Sequence, residues 1–328
     1  LIGAWGMKRS IWRKGLFVLA GGITALLVGP LLIPVPPLKG TYPARALADE
    51  DSEFIRINGV ELHVKSTGQG QPAYVLLHGF GASLYTWQAV MQPFSRLGRV
   101  IAYDRPGFGL SERPLAWQGL NPYSGDAQVQ LLLGLLDHFS ISKAILVGSS
   151  AGGSIAMQAA LQYPQRVSAL ILADPAVYIH RGSPGWLHCL LASPQMRHMG
   201  PLLARAMLRH GSQLLGMAWH DPQLIPADMA EKYRKPFQVE NWDKALWEFT
   251  LAGWPIDLAG KLDELKLPVL VVTGDDDRIV PTAHSVRLAG ELPNASLKVI
   301  ARAGHLPHEE QPGRFMEAVF EFISRLPG

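Results

Sequence analysis

One serine is flanked by glycines two positions to either side, in Gly148-Ser149-Ser150-Ala151-Gly152-Gly153. The apolar run Ala144-Ile145-Leu146-Val147 precedes it and a helical stretch follows. A G-x-S-x-G pattern between strand and helix makes a turn too tight for side chains at the glycine positions. It lifts the Ser150 hydroxyl above the sheet, at the positive end of the next helix. A hydroxyl attacks a carbonyl carbon only when a base takes its proton. His305, in Ala303-Gly304-His305-Leu306-Pro307-His308, follows the run Leu297-Lys298-Val299-Ile300 and suits that task; His308 is the rival, at the start of the last helix. The base needs a carboxylate to orient it. Gly274-Asp275-Asp276-Asp277-Arg278-Ile279-Val280-Pro281 offers three, of which Asp277, last before the apolar residues, turns back toward the histidine. Asp275 and Asp276 read as turn formers or solvated acids. Asp174, after Leu172-Ala173, is a separate contender whose plainer role is a loop hydrogen bond. The expected set is Ser150, Asp277 and His305, suited to nucleophilic attack on a carbonyl.

A tetrahedral intermediate also needs donors for its oxyanion. The backbone N–H of Ala151 is one. The other is expected from Phe80 in His78-Gly79-Phe80-Gly81, just after the run Tyr74-Val75-Leu76-Leu77. His78 reads as a ring that holds this loop, not as a base.

These groups must be held by rigid elements. Phe54–Ile57 and Glu61–Val64 flank Asn58-Gly59, a strong signal for a two-residue hairpin. Uninterrupted apolar runs of strand length follow at 74–77, 100–103, 144–147, 169–172, 269–272 and 297–300. Such runs suit strands buried on both faces of a parallel sheet. Helical stretches lie between them, at Gln128–Phe139, Ala151–Tyr163 and Arg314–Arg325. The alternation predicts a doubly wound, mostly parallel α/β sheet over 53–175 and 256–328. It breaks over 176–255, which has no strand-like run but holds five of the nine tryptophans and five of the nine methionines. That stretch is expected to be an inserted helical lid offering an adaptable apolar surface.

Charge and cysteine content narrow the function classes. The net charge of +3 conceals a split, because residues 1–48 carry six bases and no acid, while the remaining 280 carry a net −3. Nucleic-acid binding therefore has no compositional support. Cys189 is the sole cysteine, which excludes a disulfide framework within the chain and a multi-thiolate zinc site. Five histidines at 180, 188, 198, 210 and 220 fit no compact metal-ligand spacing, so neither metal nor cofactor is expected.

Met7, followed by Lys8, Arg9, Arg13 and Lys14, reads as the start of translation. The 21 residues Gly15–Val35 carry no charge, a length that can span a bilayer. Over 1–40 the reading is a basic leader with a membrane anchor, the catalytic body lying outside the cytoplasm. Its competitor is a signal peptide cleaved after Ala46-Leu47-Ala48. Thr41–Ser52 reads as a linker.

From about Phe54 to Leu326, apart from the insertion, the sequence resembles the α/β-hydrolase fold superfamily. It is most similar to the branch with HGF-type oxyanion loops and a helical lid after the sixth strand. The likeness rests on His78-Gly79-Phe80-Gly81, Asp104-Arg105-Pro106-Gly107-Phe108-Gly109, the Ser150 motif, Gly274–Pro281 and Gly304–Pro312, in that order. It implies the chain order Ser150, Asp277, His305. That branch holds esterases, lactonases, haloperoxidase-like enzymes, carbon–carbon bond hydrolases of ring-cleavage products, epoxide hydrolases and dehalogenases. The last two carry aspartate where Ser150 stands. Carbon–carbon hydrolases often have Asn and Met where this chain has Ser149 and Ala151. The leading expectation is a serine esterase for small esters with apolar acyl or alcohol groups. The alternatives are a carbon–carbon bond hydrolase, in which Arg181 or Arg197 would meet a substrate carboxylate, and a non-enzymatic receptor.

Overall fold

Eight strands form a single sheet in the order β1-β2-β4-β3-β5-β6-β7-β8 in a computed structural model describing residues 2–178, 185–208, 211–252 and 257–326. β1 (Glu53–Ile57) and β2 (Val60–Thr67) pair antiparallel, with Ile57 opposite Val60. Only Asn58 and Gly59 turn the chain, at φ of 48° and 84°. Two left-handed residues make the turn whose twist matches the flanking strands.

β3 (Ala73–Leu77), β4 (Arg99–Tyr103), β5 (Ala144–Ser149), β6 (Val167–Ala173), β7 (Val269–Gly274) and β8 (Ala295–Ile300) run parallel to one another. Successive side chains alternate between two apolar layers. Val75, Leu77, Leu146, Leu170 and Val271 pack on the side of α3 (Gly125–His138), α4 (Ala151–Gln162) and α10 (Thr282–Glu291). Tyr74, Leu76, Ile145, Val147 and Ile171 face α2 (Gln88–Ser95) and α11 (Pro312–Ile323). With helices on both faces the central strands are buried along their length. β8 differs from the expected fully buried strand. It is the sheet's edge, and Leu297 and Val299 are exposed with Lys298 between them, a charge that discourages further pairing.

Between β6 and β7 the described chain is helical, with α5 (Gly185–Leu191), α6 (Pro194–Leu208), α7 (Gly211–Ala218), α8 (Ala227–Arg234) and α9 (Trp242–Leu251). Its aromatic content serves packing more than surface. Trp219, Trp242 and Trp247 are buried, and Gly200 lies so close to the Trp247 ring that a Cβ there would collide with it. Trp186 is exposed, while Trp254, His180, Arg181 and His210 lie outside the described residues.

The N-terminal segment departs from expectation. It forms α1 (Ile2–Leu32), yet among the described residues no helix is long and apolar enough to cross a membrane. The expected membrane anchor, and with it the body held outside the cytoplasm, is therefore corrected. The far end of the apolar run meets the insertion, where Gln195 donates to Leu27 O at 2.8 Å and His198 Nε2 lies 2.8 Å from Ile33 O, while Leu16, Phe17, Val18, Leu19 and Leu26 are exposed. Arg205 holds Pro36 O at 2.8 Å while pairing with Asp243 at 2.7 Å. The stretch read as a linker is bonded as well. Tyr42 N–H donates to Gln238 O at 2.7 Å, and Asp49 bridges Lys65 and Lys235 at 2.7 and 2.8 Å.

Candidate active site

Ser150, Asp174, Asp277 and His305 follow β5, β6, β7 and β8, four neighbouring parallel strands, so all four lie at one sheet edge. Ser150 sits at φ 51° and ψ −120°, a backbone state strained for a residue with a side chain. The neighbours enforce it. A Cβ at Gly152 would run into the Leu77 and His78 carbonyls, and one at Gly148 would meet Gly153 N at 2.6 Å. One at Gly79 would stand 3.2 Å from Ser150 Cβ, so the serine turn and the loop after β3 touch. α4 starts at Ala151, directing its N-terminal partial positive charge at the hydroxyl.

Asp277 and His305 are brought together. Oδ2 of Asp277 lies 2.7 Å from Nδ1 of His305, and both residues are buried. Oδ1 of Asp277 accepts from the backbone N–H of Ile279 and Val280 at 2.8 and 2.9 Å. This carboxylate is thus fixed at both oxygens, and His305 Nε2 is left to face a partner other than the acid. Ser150 Oγ hydrogen-bonds to no described residue, so the serine and the histidine share an edge without yet being joined. Such contacts often close only with substrate in place. The histidine loop is braced by the insertion: His305 N–H donates to Ala218 O at 2.7 Å, and Glu310 accepts from Gly304 N and His220 N, each at 2.7 Å.

The rivals have other duties. Asp275 accepts from Arg302 N at 2.8 Å, and Asp276 lies 2.9 Å from His220. His308 is buried against Trp87, ring centroids 4.3 Å apart, with Nε2 3.0 Å from Thr86 Oγ1. Burial pulls its pKa down to about 3, so it stays neutral.

The loop after β3 is set by two residues behind it. His78 Nδ1 lies 2.7 Å from Gly79 O, and His78 Nε2 accepts from Arg105 N at 3.0 Å. Both ring nitrogens are occupied, and burial next to Arg105 lowers its pKa to about 3, so His78 is no base. Arg105 donates to the same Gly79 oxygen at 3.0 Å and to Gln128 Oε1 at 3.1 Å. In a trans peptide the N–H points opposite to the C=O, so these bonds turn Phe80 N–H toward the other side of the loop. Neither Phe80 N–H nor Ala151 N–H donates to another described residue. Burial lowers the Arg105 pKa to about 10, which leaves it charged at neutral pH, and no described carboxylate pairs with it. The sequence reading missed Arg105 and Gln128; the Asp104–Gly109 motif was the available signal.

Phe80, Phe108 and Phe249 form an aromatic wall beside this loop, with centroids 4.9 to 5.7 Å apart. Arg197, one of the two arginines considered for a substrate carboxylate, lies 3.2 Å from Glu248. His188 and His198 meet backbone oxygens, and His220 meets Asp276. Among the described residues, the one group of metal-ligand type is Asp174, Asp277 and His305, which contains the expected acid and base.

Residues 72–312 match the family model for the alpha/beta hydrolase fold. The chain is an α/β-hydrolase. It is 30% identical over 291 residues to the 2-hydroxy-6-oxo-6-phenylhexa-2,4-dienoate hydrolase of Burkholderia cepacia, covering 83% of this chain and 96% of that one. Among solved structures it is similar to the meta-cleavage product hydrolase CumD of Pseudomonas fluorescens IP01, with a TM-score of 0.65 and 26% identity over 84% of this chain and 98% of that one. A thermophilic esterase from Thermogutta terrifontis gives the same TM-score, identity and coverage. The fold and the hydrolase class expected from the sequence thus stand, while the carbon–carbon hydrolases among the α/β-hydrolase's relatives match the alternative better than the leading ester reading.

Proposed function

We propose that this α/β-hydrolase uses Ser150 to cleave the carbon–carbon bond beside the ketone of a ring-cleavage-type dienoate capped by an apolar group. The observation that carries this reading is the near full-length likeness to a hydrolase named for that substrate class. The sequence argument against it from export loses the membrane anchor as a support. Ser149 and Ala151 still depart from the residues common in such enzymes.

Ser150 Oγ adds to the ketone carbon as His305 Nε2 takes its proton, with Asp277 holding Nδ1–H. The N–H groups of Phe80 and Ala151 receive the oxyanion, and the buried Arg105 charge adds positive potential behind them. Collapse breaks the bond to the neighbouring carbon. Once the 2-hydroxyl proton has moved to that carbon to give the keto tautomer, the electron pair of the broken bond passes through the adjacent double bond onto the 2-keto oxygen as a dienolate, which the imidazolium protonates. Water, giving a proton to His305, then releases the apolar carboxylic acid from Ser150. The wall of Phe80, Phe108 and Phe249 suits a phenyl or alkyl cap better than a carboxylate.

Ester hydrolysis is the second reading, favoured by the likeness to the Thermogutta terrifontis esterase. Attack, oxyanion and acyl-enzyme are common to both reactions; only the leaving group differs. The test pairs 2-hydroxy-6-oxo-6-phenylhexa-2,4-dienoate with chromogenic esters from acetate to laurate, with Ser150→Ala beside each. Dienoate turnover at least about tenfold above the best ester in kcat/KM, lost in the variant, supports the proposal. Ester turnover alone replaces it with the second reading, and turnover of neither returns the chain to a receptor.

A further inference from the structure

We propose that Asp174 is a positioning residue, a neutral carboxylic acid whose O–H is directed at Asp277 and thereby sets the charge that His305 feels. Its role in turnover rests on the hydrolase reading above; its protonation state does not. Asp174 follows β6, next to β7, where its N–H donates to Val272 O at 2.9 Å. Oδ1 accepts from the Thr273 hydroxyl at 2.6 Å, and Oδ2, fully buried, has no hydrogen-bond partner among the described residues. An oxygen of Asp174, an oxygen of Asp277 and a ring nitrogen of His305 all lie within 4.8 Å of one another.

Two buried carboxyl groups at this spacing do not both ionise beside a single imidazole. The hydrogen bonds decide which one keeps the proton. Asp277 accepts from two backbone N–H groups and from His305, the surroundings of a carboxylate. Asp174 accepts from one side-chain hydroxyl and is faced by the Gly274 N–H, fewer donors than Asp277 has, and its Oδ2 has room for a proton. Burial and the Asp277 charge also hold its pKa well above the usual carboxylate range. Among the described residues, the titratable groups recorded around it are Asp277 and His305, on the loops after β7 and β8. Among the described residues no lysine or arginine pairs with it. The acid expected from the sequence to make a plain loop hydrogen bond is therefore a fourth member of the Ser150, His305, Asp277 array.

Asp174→Asn decides the matter, because asparagine tolerates the left-handed backbone at φ 46° and keeps an N–H donor without charge. If Asp174 is neutral, the acid limb of kcat/KM overlays that of the parent within about 0.3 pH units, since no charge has changed. If it is ionised, losing a charge about 5 Å from the base at an effective dielectric constant of about 20 drops that limb by about two units, which overturns the proposal. Asp174→Ala, which removes the donor, is expected to lower kcat about tenfold with little change in KM and to move the acid limb upward. An alanine variant indistinguishable from the parent overturns the positioning role. An infrared difference spectrum needs no substrate. A neutral-acid carbonyl band present in the parent and absent from Asp174→Asn supports the proposal even if the hydrolase reading fails. Its absence from the parent overturns the proposal even if that reading holds.

Discussion

Arg105 donates to the carbonyl oxygen of Gly79 at 3.0 Å, so a buried cation fixes the back of the peptide whose front presents Phe80 N–H. The guanidinium makes no ion pair in the described chain, so its charge is not spent locally. Arg105→Met should lower kcat by about 10- to 100-fold, below the loss expected for deleting an oxyanion donor outright. KM should stay within about threefold, because a ground-state carbonyl gains little from the donor. Steady-state kinetics with a thermal melt checks this; a matching rise in KM would point to a collapsed pocket instead.

Asp277→Asn keeps the shape of the acid but removes the charge that holds His305 Nδ1–H. A loss of about 10³- to 10⁴-fold in kcat is expected. Asp275→Asn, at a residue capping Arg302 N, should leave kcat within about threefold. Comparing the two variants on one substrate separates the orienting acid from its neighbours.

Glu309 gives a pH signature unrelated to turnover. It is buried, accepts from Tyr233 of α8 at 2.6 Å and from Thr86, and burial raises its pKa to about 7. Its folded pKa lies above the ordinary 4.5, so the group stabilises the fold most at low pH and loses that contribution as pH rises through about 7. Glu309→Gln should match the parent near pH 4 and exceed it near pH 8 by at most about 3 kcal/mol. Urea unfolding at the two pH values checks this. A variant less stable at pH 8 would mean that the native pair uses the charge.

Phe249 should govern the apolar cap. Phe249→Ala opens the wall shared with Phe80 and Phe108, at centroid distances of 5.6 and 4.9 Å. Selectivity for a phenyl-capped over a methyl-capped dienoate should fall about 10- to 200-fold, measured as the ratio of the two kcat/KM values.

What could be read in advance followed from patterns that burial imposes. The central strands announced themselves as apolar runs because helices cover both their faces. The choice of Asp277 over Asp275 and Asp276 rested on its being the last acid before the apolar Ile279-Val280-Pro281, and its carboxylate lies 2.7 Å from His305. β8 was misjudged because Leu297 and Val299 look buried, and only sheet order reveals an edge. The Gly15–Val35 run carried no sign of the contacts its far end makes with Gln195 and His198, since an apolar stretch does not announce what it meets. Arg105 and the Asp174–Thr273 contact join residues 26 and 99 positions apart, beyond the reach of local pattern.

β6 and β7 are parallel neighbours, so the helical segment between them leaves the sheet at the carboxyl end of β6 and re-enters at the opposite, amino end of β7. Strands rise about 3.3 Å per residue, so the connecting chain must also run back along the length of the sheet. A transplanted helical cap from another hydrolase would have to leave that return stretch in place. It would fail at the non-covalent seams with the histidine loop, the His305 bond to Ala218, the Glu310 bond to His220 and the Tyr233–Glu309 pair among them. Chimeras that exchange the cap would therefore need residues 304–310 to travel with it, making the histidine loop part of the exchangeable module while Ser150 and Asp277 stay with the scaffold.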